Sequence, residues 1–338
     1  MKTIELLSEV KKLKKGFKNS SYLPILDNIY NNEGTMTVFD LEIAMTVKTG
    51  LPGKFLVDFK LFEKILTKLP KDSEITSELS EDKITLTIDG GGKFTLPTYN
   101  VDDYPNIVKC ENLLGELTEQ DIELIKKAEK FAVESMLRPV LQSIFITDHI
   151  VASDAHRLVY YPHEMKLTKP ILLTNKVAKI MNEKHYFVDS DKDGKNIKLV
   201  GSNEIITYRQ FDGNYPHYMS VIPKDNGIVY SVDTKKLTET VKLALISANQ
   251  SSELIKFNFN CTKVTVSSQD IYFSTEFSQD IDCKRIASDL DNFKIGMKAS
   301  FLLDMLSDCE EVVTFAMKST DRAILIDDDK LLMPMMIN

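Results

Sequence analysis

Three segments share one arrangement of apolar and polar positions: IELLSEVKKLKKGF (4–17), EQDIELIKKAEKFA (119–132) and TKKLTETVKLALIS (234–247). Apolar residues recur in each at steps of three and four, which puts them on one face of a helix. FKLFEKILTKLP (59–70), NKVAKIMNEK (175–184) and KASFLLDMLSD (298–308) form a second such family. Leu237 stands 115 residues after Ile122, and Val177 stands 115 after Phe62. Phe301 lies 124 after Val177, as a loop insertion would cause.

Between these helices the alternation shortens to two. ITLTID (84–89), KFTLPTY (93–99), HYFVDS (185–190), NIKLVGS (196–202), IITYRQF (205–211), LIKFNFN (254–260), KVTVSSQ (263–269) and AILIDD (323–328) read as antiparallel strands. The strand endings MTVFDLE, IVASDAH and VTVSSQD place Asp40, Asp154 and Ser268 at successive spacings of 114. A period this long is a duplicated domain. The expected fold is α+β: three similar domains, each with two helices packed on antiparallel sheet. Their expected bounds are 1–113, 114–224 and 225–338, with links near Cys110–Glu116 and Pro223–Gly227.

Composition narrows the class. A chain of 338 residues exceeds one ordinary core, and 43% hydrophobic with 27% charged residues is globular rather than disordered. MKTIELLSEVKKLKKGFKNS lacks a signal peptide's apolar centre, and no run approaches a membrane span. Cys110, Cys261, Cys283 and Cys309 lie far apart without metal-ligand spacing, so reduced thiols in a cytoplasm are expected.

A net charge of −8 at first argues against nucleic acid, but the charges are segregated. Acids gather in loop-like stretches: Glu78 with Glu81 and Asp82, Asp189 to Asp193, Asp289 with Asp291, and Asp327 to Asp329. Lysines gather on helices. Lys60, Lys64 and Lys68 form one stripe, opposite Phe62, Ile65, Leu66 and Leu69. Lys11, Lys14, Lys15 and Lys18 share a side, as do Lys126 with Lys130, Lys176 with Lys179, and Lys235 with Lys242. Helical faces biased to one sign in an acidic chain suit loose phosphate contact that reads no base sequence.

Some motifs look chemical and are set aside. DSDKDG (189–194) opens like a calcium loop, but Val200 stands where a glutamate ligand belongs and strands flank it. It reads as a hairpin turn. SDAHR (153–157) gathers a serine, an aspartate and a histidine, which raises a hydrolase built on Asp154 and His156. Adjacent side chains do not converge on one reacting atom, and there is no nucleophile elbow. Gly90 to Gly92 precede a strand and form a turn rather than a phosphate cradle. No catalytic residue, metal or cofactor is expected.

YLPILDNI (22–29), DLE (40–42), LPTYNVDDYPNI (96–107), VASDAHRLVYY (151–161), DGNYPHYMSVIP (212–223) and the terminal LLMPMM (331–336) occur in the order found in bacterial β sliding clamps. The chain resembles that family over essentially its whole length. The resemblance implies three similar domains per chain and a head-to-tail homodimer forming a ring around duplex DNA. It implies a non-enzymatic processivity factor for the replicative polymerase, with lysine-bearing helices facing DNA. It also implies a groove for short polymerase and clamp-loader peptides, formed by Leu141, Ser153, Ala155, His156, Arg157, Leu158, Pro216, Val221 and Ala323 with Leu331, Leu332, Met333, Pro334 and Met335. Methionine suits such a surface because its thioether repacks around different ligands.

This sequence departs from the family pattern at a few positions. Ala155 stands where the family usually has glycine, so a left-handed backbone there carries strain. Ser220 and Met336 replace frequent basic residues, and Asn338 is an added terminal residue. Ring closure is expected to bring the edge strand bearing Phe94 and Leu96 against Leu245 and Ile246 of the other copy. A scaffold of the same repeats that does not encircle DNA is the alternative.

Overall fold

The computed structural model describes residues 1–19, 23–133, 137–164 and 166–337; Tyr22 and Asn338 lie outside them. The chain begins with α1 (Thr3–Gly16), β1 (Asn28–Asn32), β2 (Thr35–Phe39), β3 (Ile43–Lys48) and β4 (Lys54–Asp58). α2 (Phe59–Lys68), β5 (Ile75–Ser80), β6 (Lys83–Ile88) and β7 (Lys93–Pro97) follow. Then β8 (Asn112–Leu117) leads into α3 (Glu119–Ala128), β9 (Ser143–Ile146), β10 (His149–Ser153), β11 (Arg157–Pro162) and β12 (Ile171–Thr174). α4 (Asn175–Ile180), β13 (Tyr186–Ser190), β14 (Asn196–Val200) and β15 (Glu204–Arg209) come next. The remainder opens with β16 (Ile228–Asp233), α5 (Thr234–Ser247), β17 (Leu254–Phe259), β18 (Lys263–Asp270), β19 (Thr275–Ala287) and β20 (Phe293–Lys298). It ends with α6 (Ala299–Leu306), β21 (Val312–Met317), β22 (Ile324–Ile326) and β23 (Lys330–Leu332). Helix, four strands, helix, three strands therefore occurs three times among the described residues.

By contact the chain forms two compact units, residues 1–123 with 166–212, and residues 124–165 with 213–338. In the first, strands run β4-β1-β2-β3-β15-β14-β13-β8, and β5-β6-β7 form a separate sheet. In the second the order is β9-β10-β11-β23-β22-β21-β16-β19-β18-β17-β20. The pairings within these sheets are antiparallel.

The helices form where the apolar period required them. Asp58 caps α2 by accepting from the Leu61 amide at 2.6 Å, and Phe59, Phe62, Ile65 and Leu66 are buried. Asp233 caps α5 in the same way through Lys236, over buried Leu237, Val241 and Ala244. Two helices are shorter than their apolar pattern suggests. α4 stops at Ile180 because the Asn182 amide donates to the Glu204 carboxylate (2.9 Å) and the Tyr186 hydroxyl (3.1 Å). α3 ends at Ala128 and tightens into a 3-10 turn, Glu129–Phe131. The expected link at Cys110–Glu116 contains β8, whose Leu114 and Leu117 are buried.

One turn recurs. Asp40 Oδ1 accepts from the amides of Glu42 (3.0 Å) and Ile43 (2.7 Å), between β2 and β3. Asp154 Oδ1 accepts from His156 (2.9 Å) and Arg157 (2.7 Å), between β10 and β11. The third copy belongs to Asp270, which accepts from Tyr272 (2.8 Å) and Phe273 (3.3 Å). Ser268, matched to Asp154 by spacing alone, is buried and donates to the Ala244 carbonyl. β18 has eight residues where β2 and β10 have five, and the turn aspartate falls two positions beyond Ser268.

The strand after each turn has a definite fate. β3 pairs with β15, and β11 pairs with β23. The first half of β19 pairs with β18 alone among the described strands, and β7 pairs with β6 alone. The DSDKDG stretch closes the β13–β14 hairpin: Asp191 Oδ1 accepts from the amides of Lys195 (2.8 Å) and Asn196 (3.1 Å). Gly90–Gly92 lie in the β6–β7 hairpin. Among the described residues there is no cluster suited to a metal, and no helix is long and apolar enough to cross a membrane.

Candidate functional site

The β10–β11 turn and the chain's end build one groove. β23 pairs with β11 in the register Arg157↔Leu332, Leu158↔Leu331 and Val159↔Lys330, and the Met333 amide then donates to the His156 carbonyl at 2.9 Å. The turn itself is tightly specified. Ser153 Oγ donates to the Arg157 carbonyl (2.7 Å) and accepts from the Ala155 amide (3.1 Å). Ala155 has φ +73°, the left-handed conformation that glycine adopts without cost.

Asp154 is committed to this turn on both oxygens. Its Oδ2 accepts from Arg157 Nε at 2.9 Å, while Oδ1 holds the two amides already described. Arg157 is nearly buried, reaches Asp304 of α6 at 2.5 Å, and lies over the ring of Phe301 at 4.2 Å. The acid that a hydrolase would need is thus a structural anchor.

The groove encloses about 220 Å³. Leu141, Ser153, Ala155, His156, Arg157, Leu158, Pro216, Val221, Ala323, Leu331 and Met333 line it, as the resemblance implied. Leu332, Pro334 and Met335 are not brought to it. Strand alternation turns Leu332 fully into the core, and the Met335 amide donates to the Gly296 carbonyl of β20 at 2.8 Å. Four lining residues were missed in the sequence: Arg138, Tyr215, His217 and Tyr218. NYPHYM, with two tyrosines and a histidine around a proline, carried the signal. The floor beneath is apolar, with Val151, Leu158, Tyr218 and Leu331 packed together.

Comparison with known proteins is decisive. The family described as DNA polymerase III beta subunit matches through its N-terminal domain at residues 1–108 and its C-terminal domain at 219–331. The chain belongs to the bacterial β sliding clamp family. It is 23% identical to the beta sliding clamp of Haemophilus influenzae over 317 residues, covering 86% of this chain and 84% of that one. It is 24% identical to that of Vibrio cholerae over 336 residues, covering 91% and 90%. A crystal structure of the Pseudomonas aeruginosa DNA polymerase sliding clamp shares its fold, with TM-score 0.88, 19% identity and coverage of 100% of this chain and 99% of that chain.

In this clamp the lysines divide into two groups. Lys11, Lys18, Lys60, Lys64, Lys68, Lys235 and Lys242 are exposed, and no ion pair involves them among the described residues. Lys14 instead pairs with Glu63 (2.8 Å), Lys176 with Glu42 (3.3 Å) and Lys130 with Asp308 (3.4 Å). Lys15 donates to the Asn182 side chain. Lys126 is half-buried and Lys179 exposed. Short acidic partners on neighbouring elements explain the paired group, which sequence spacing could not foresee.

The residues expected at the ring interface divide too. β7 is an edge strand with Phe94 exposed, but Leu96 is buried because it stands opposite Ile84 of β6, itself in the core. Ile246 is 80% exposed at the end of α5, whereas Leu245 is half-buried. Beside them lies a surface missed in the sequence: Ile271, Tyr272 and Phe273 are 81%, 89% and 71% exposed in the β18–β19 turn. Asn249 Nδ2 donates to Asp270 Oδ2 at 3.2 Å and ties that turn to the end of α5. Three consecutive apolar residues outside any alternating run were the available signal.

Proposed function

We propose that two copies of this chain close head to tail into a ring around duplex DNA, and that the groove tethers the polymerase and the clamp loader by short peptides. The observation that carries the reading is the pattern of strand junctions. The strand after the Asp40 turn meets the last strand of the second repeat, and the strand after the Asp154 turn meets the last strand of the third. Continuing the series, the strand after the Asp270 turn calls for the last strand of a first repeat, which is β7. Both the first half of β19 and β7 have a free edge. A head-to-tail contact of this kind pairs both of these edges once the ring closes.

The three-domain division at 1–113, 114–224 and 225–338 belongs to this reading, since each division carries one turn and one terminal strand. The unpaired lysines hold phosphates weakly, and topological linkage takes the place of affinity. An apolar groove with an exposed methionine lip suits short peptides.

The test is retention on DNA. Loaded with a matching clamp loader onto nicked circular plasmid, the protein should co-elute with DNA and release when the plasmid is linearised. Retention on linear DNA without blocked ends would overturn encirclement.

A further inference from the structure

We infer that Leu61 of one copy is the seat for Tyr272 and Phe273 of a second copy, an apolar lock where the matching joints inside the chain are polar. This contact rests on the head-to-tail ring proposed above and names side chains that hold it shut. The seat is located by the two joints that the chain builds for itself. Glu42, two residues after the first turn aspartate, pairs with Lys176 of α4 at 3.3 Å. His156, two residues after the second, has its ring 6.0 Å from that of Phe301 in α6, and the Arg157 guanidinium lies 4.2 Å from the same ring. Each turn thus reaches the second helix of the repeat that follows it.

The buried faces of these helices fix which positions correspond. Phe62, Ile65 and Leu66 of α2 recur 115 residues on as Val177, Ile180 and Met181, and 240 residues on as Leu302, Met305 and Leu306, all buried. At those two offsets Lys176 and Phe301 both fall on Leu61. A second pair of contacts gives the same register. Lys15 at the end of α1 donates to the Asn182 side chain at 2.5 Å, and Lys130 just past α3 donates to Ser307 Oγ at 2.9 Å. Asn182 and Ser307 lie 115 and 240 residues after Thr67, while Lys15, Lys130 and Leu245 are spaced by 115. Two contacts per joint therefore point to one docking register on α2: Leu245 against Thr67, and the Asp270 turn against Leu61.

With two turns matched to α4 and α6, the Asp270 turn and α2 remain as the unmatched pair, and a second copy can join them. Their chemistry fits. Tyr272 and Phe273 are 89% and 71% exposed, and Leu61, on a helix otherwise striped with Lys60, Lys64 and Lys68, is 41% exposed. Covering aromatic rings with a leucine removes apolar surface from water on both sides. The tip also leads directly into the free edge of β19, so seating it and pairing that edge with β7 belong to one approach. An ion pair such as Glu42–Lys176 is screened by salt, whereas an apolar contact is not.

The test uses the full-length chain with its exposed thiol removed by Cys261→Ser. Carrying Leu61→Cys and Tyr272→Cys together, it should be joined by a short bismaleimide into a covalent dimer, while neither single-cysteine variant should be. In parallel, Tyr272→Ala with Phe273→Ala, both at exposed positions, should raise the dimer's dissociation constant by about tenfold or more at each junction, with an unchanged melting curve for the separate chain. Leu61→Ala should add less than about twofold once the tip is alanine, because the contact is already gone. A native dimer in sedimentation that gives no linked product, or that the tip alanines do not weaken, would overturn the lock and leave the ring standing. Retention on plasmid that falls while the alanine variant stays dimeric would assign the tip to DNA or the loader and overturn the lock as well. A native protein that stays monomeric at micromolar concentration would overturn the ring and the lock together.

Discussion

Ile246 projects from the end of α5 with four-fifths of its surface exposed, so an aspartate there has little folded structure to damage. In the proposed ring the same side chain is covered by the other copy. Losing a buried isoleucine costs about 1.5–3 kcal/mol. Desolvating a carboxylate at that place adds about 2 kcal/mol, giving roughly 3–5 kcal/mol per junction. A two-fold ring has two such junctions, so the dimer loses about 6–10 kcal/mol, a factor on the order of ten thousand to ten million in its dissociation constant. Stability of the separate chain should stay within about 0.5 kcal/mol, as for other exposed positions. Sedimentation velocity at micromolar concentration should therefore show Ile246→Asp as a monomer, and its melting curve should match that of dissociated native protein. A variant that still sediments as a dimer would refute the closure surface. One that loses a large part of its melting enthalpy would show that Ile246 serves its own domain.

Further outcomes follow from individual contacts. Ala155→Gly removes a left-handed alanine and should stabilise the chain by about 1 kcal/mol, read as a small rise in denaturation midpoint. Met333→Ala should weaken peptide binding by about 1–3 kcal/mol with folding intact, because Met333 is a half-exposed lip residue. Leu158→Ala should lower both binding and stability, the latter by about 2–4 kcal/mol, since Leu158 is part of the apolar floor. Changing Lys60, Lys64 and Lys68 together to glutamate should leave melting and peptide binding unchanged while impairing loading on DNA, most visibly at low salt, where the lysine–phosphate attraction is least screened. Gly115→Ala should destabilise by about 3 kcal/mol or more in chemical denaturation, because a Cβ there would overlap the Lys166 carbonyl at a backbone φ of +147°.

The six helices and most of the strands were legible because burial of one face imposes a period on the sequence. The limits were tertiary. Asn182 could continue α4 on propensity, but Glu204, 22 residues on, and the Tyr186 hydroxyl take its amide. Alternation identified Phe94 and Leu96 as sharing a face of β7, yet it could not say that only Leu96 is covered by its own sheet. At the groove, the turn and the terminal strand named from the resemblance lie side by side. The roles of Leu332 and Met335 depended on alternation and on the edge of β20, neither visible from the motif alone. Ile271–Phe273 escaped notice because three adjacent apolar residues in a turn match neither helical nor strand period.

The thrice-built aspartate turn has a consequence for how this molecule can diversify. In each copy the aspartate carboxylate accepts from two backbone amides, so the side chains following the acid can vary without altering the frame. After Asp40 come Glu42, paired to Lys176, and buried Ile43, which make a fixed internal joint. After Asp154 come His156 and Arg157, which line the groove. After Asp270 come Tyr272 and Phe273, which make a bare apolar tip. One socket thus carries an internal joint, a groove wall and a bare apolar tip, and two side chains decide which.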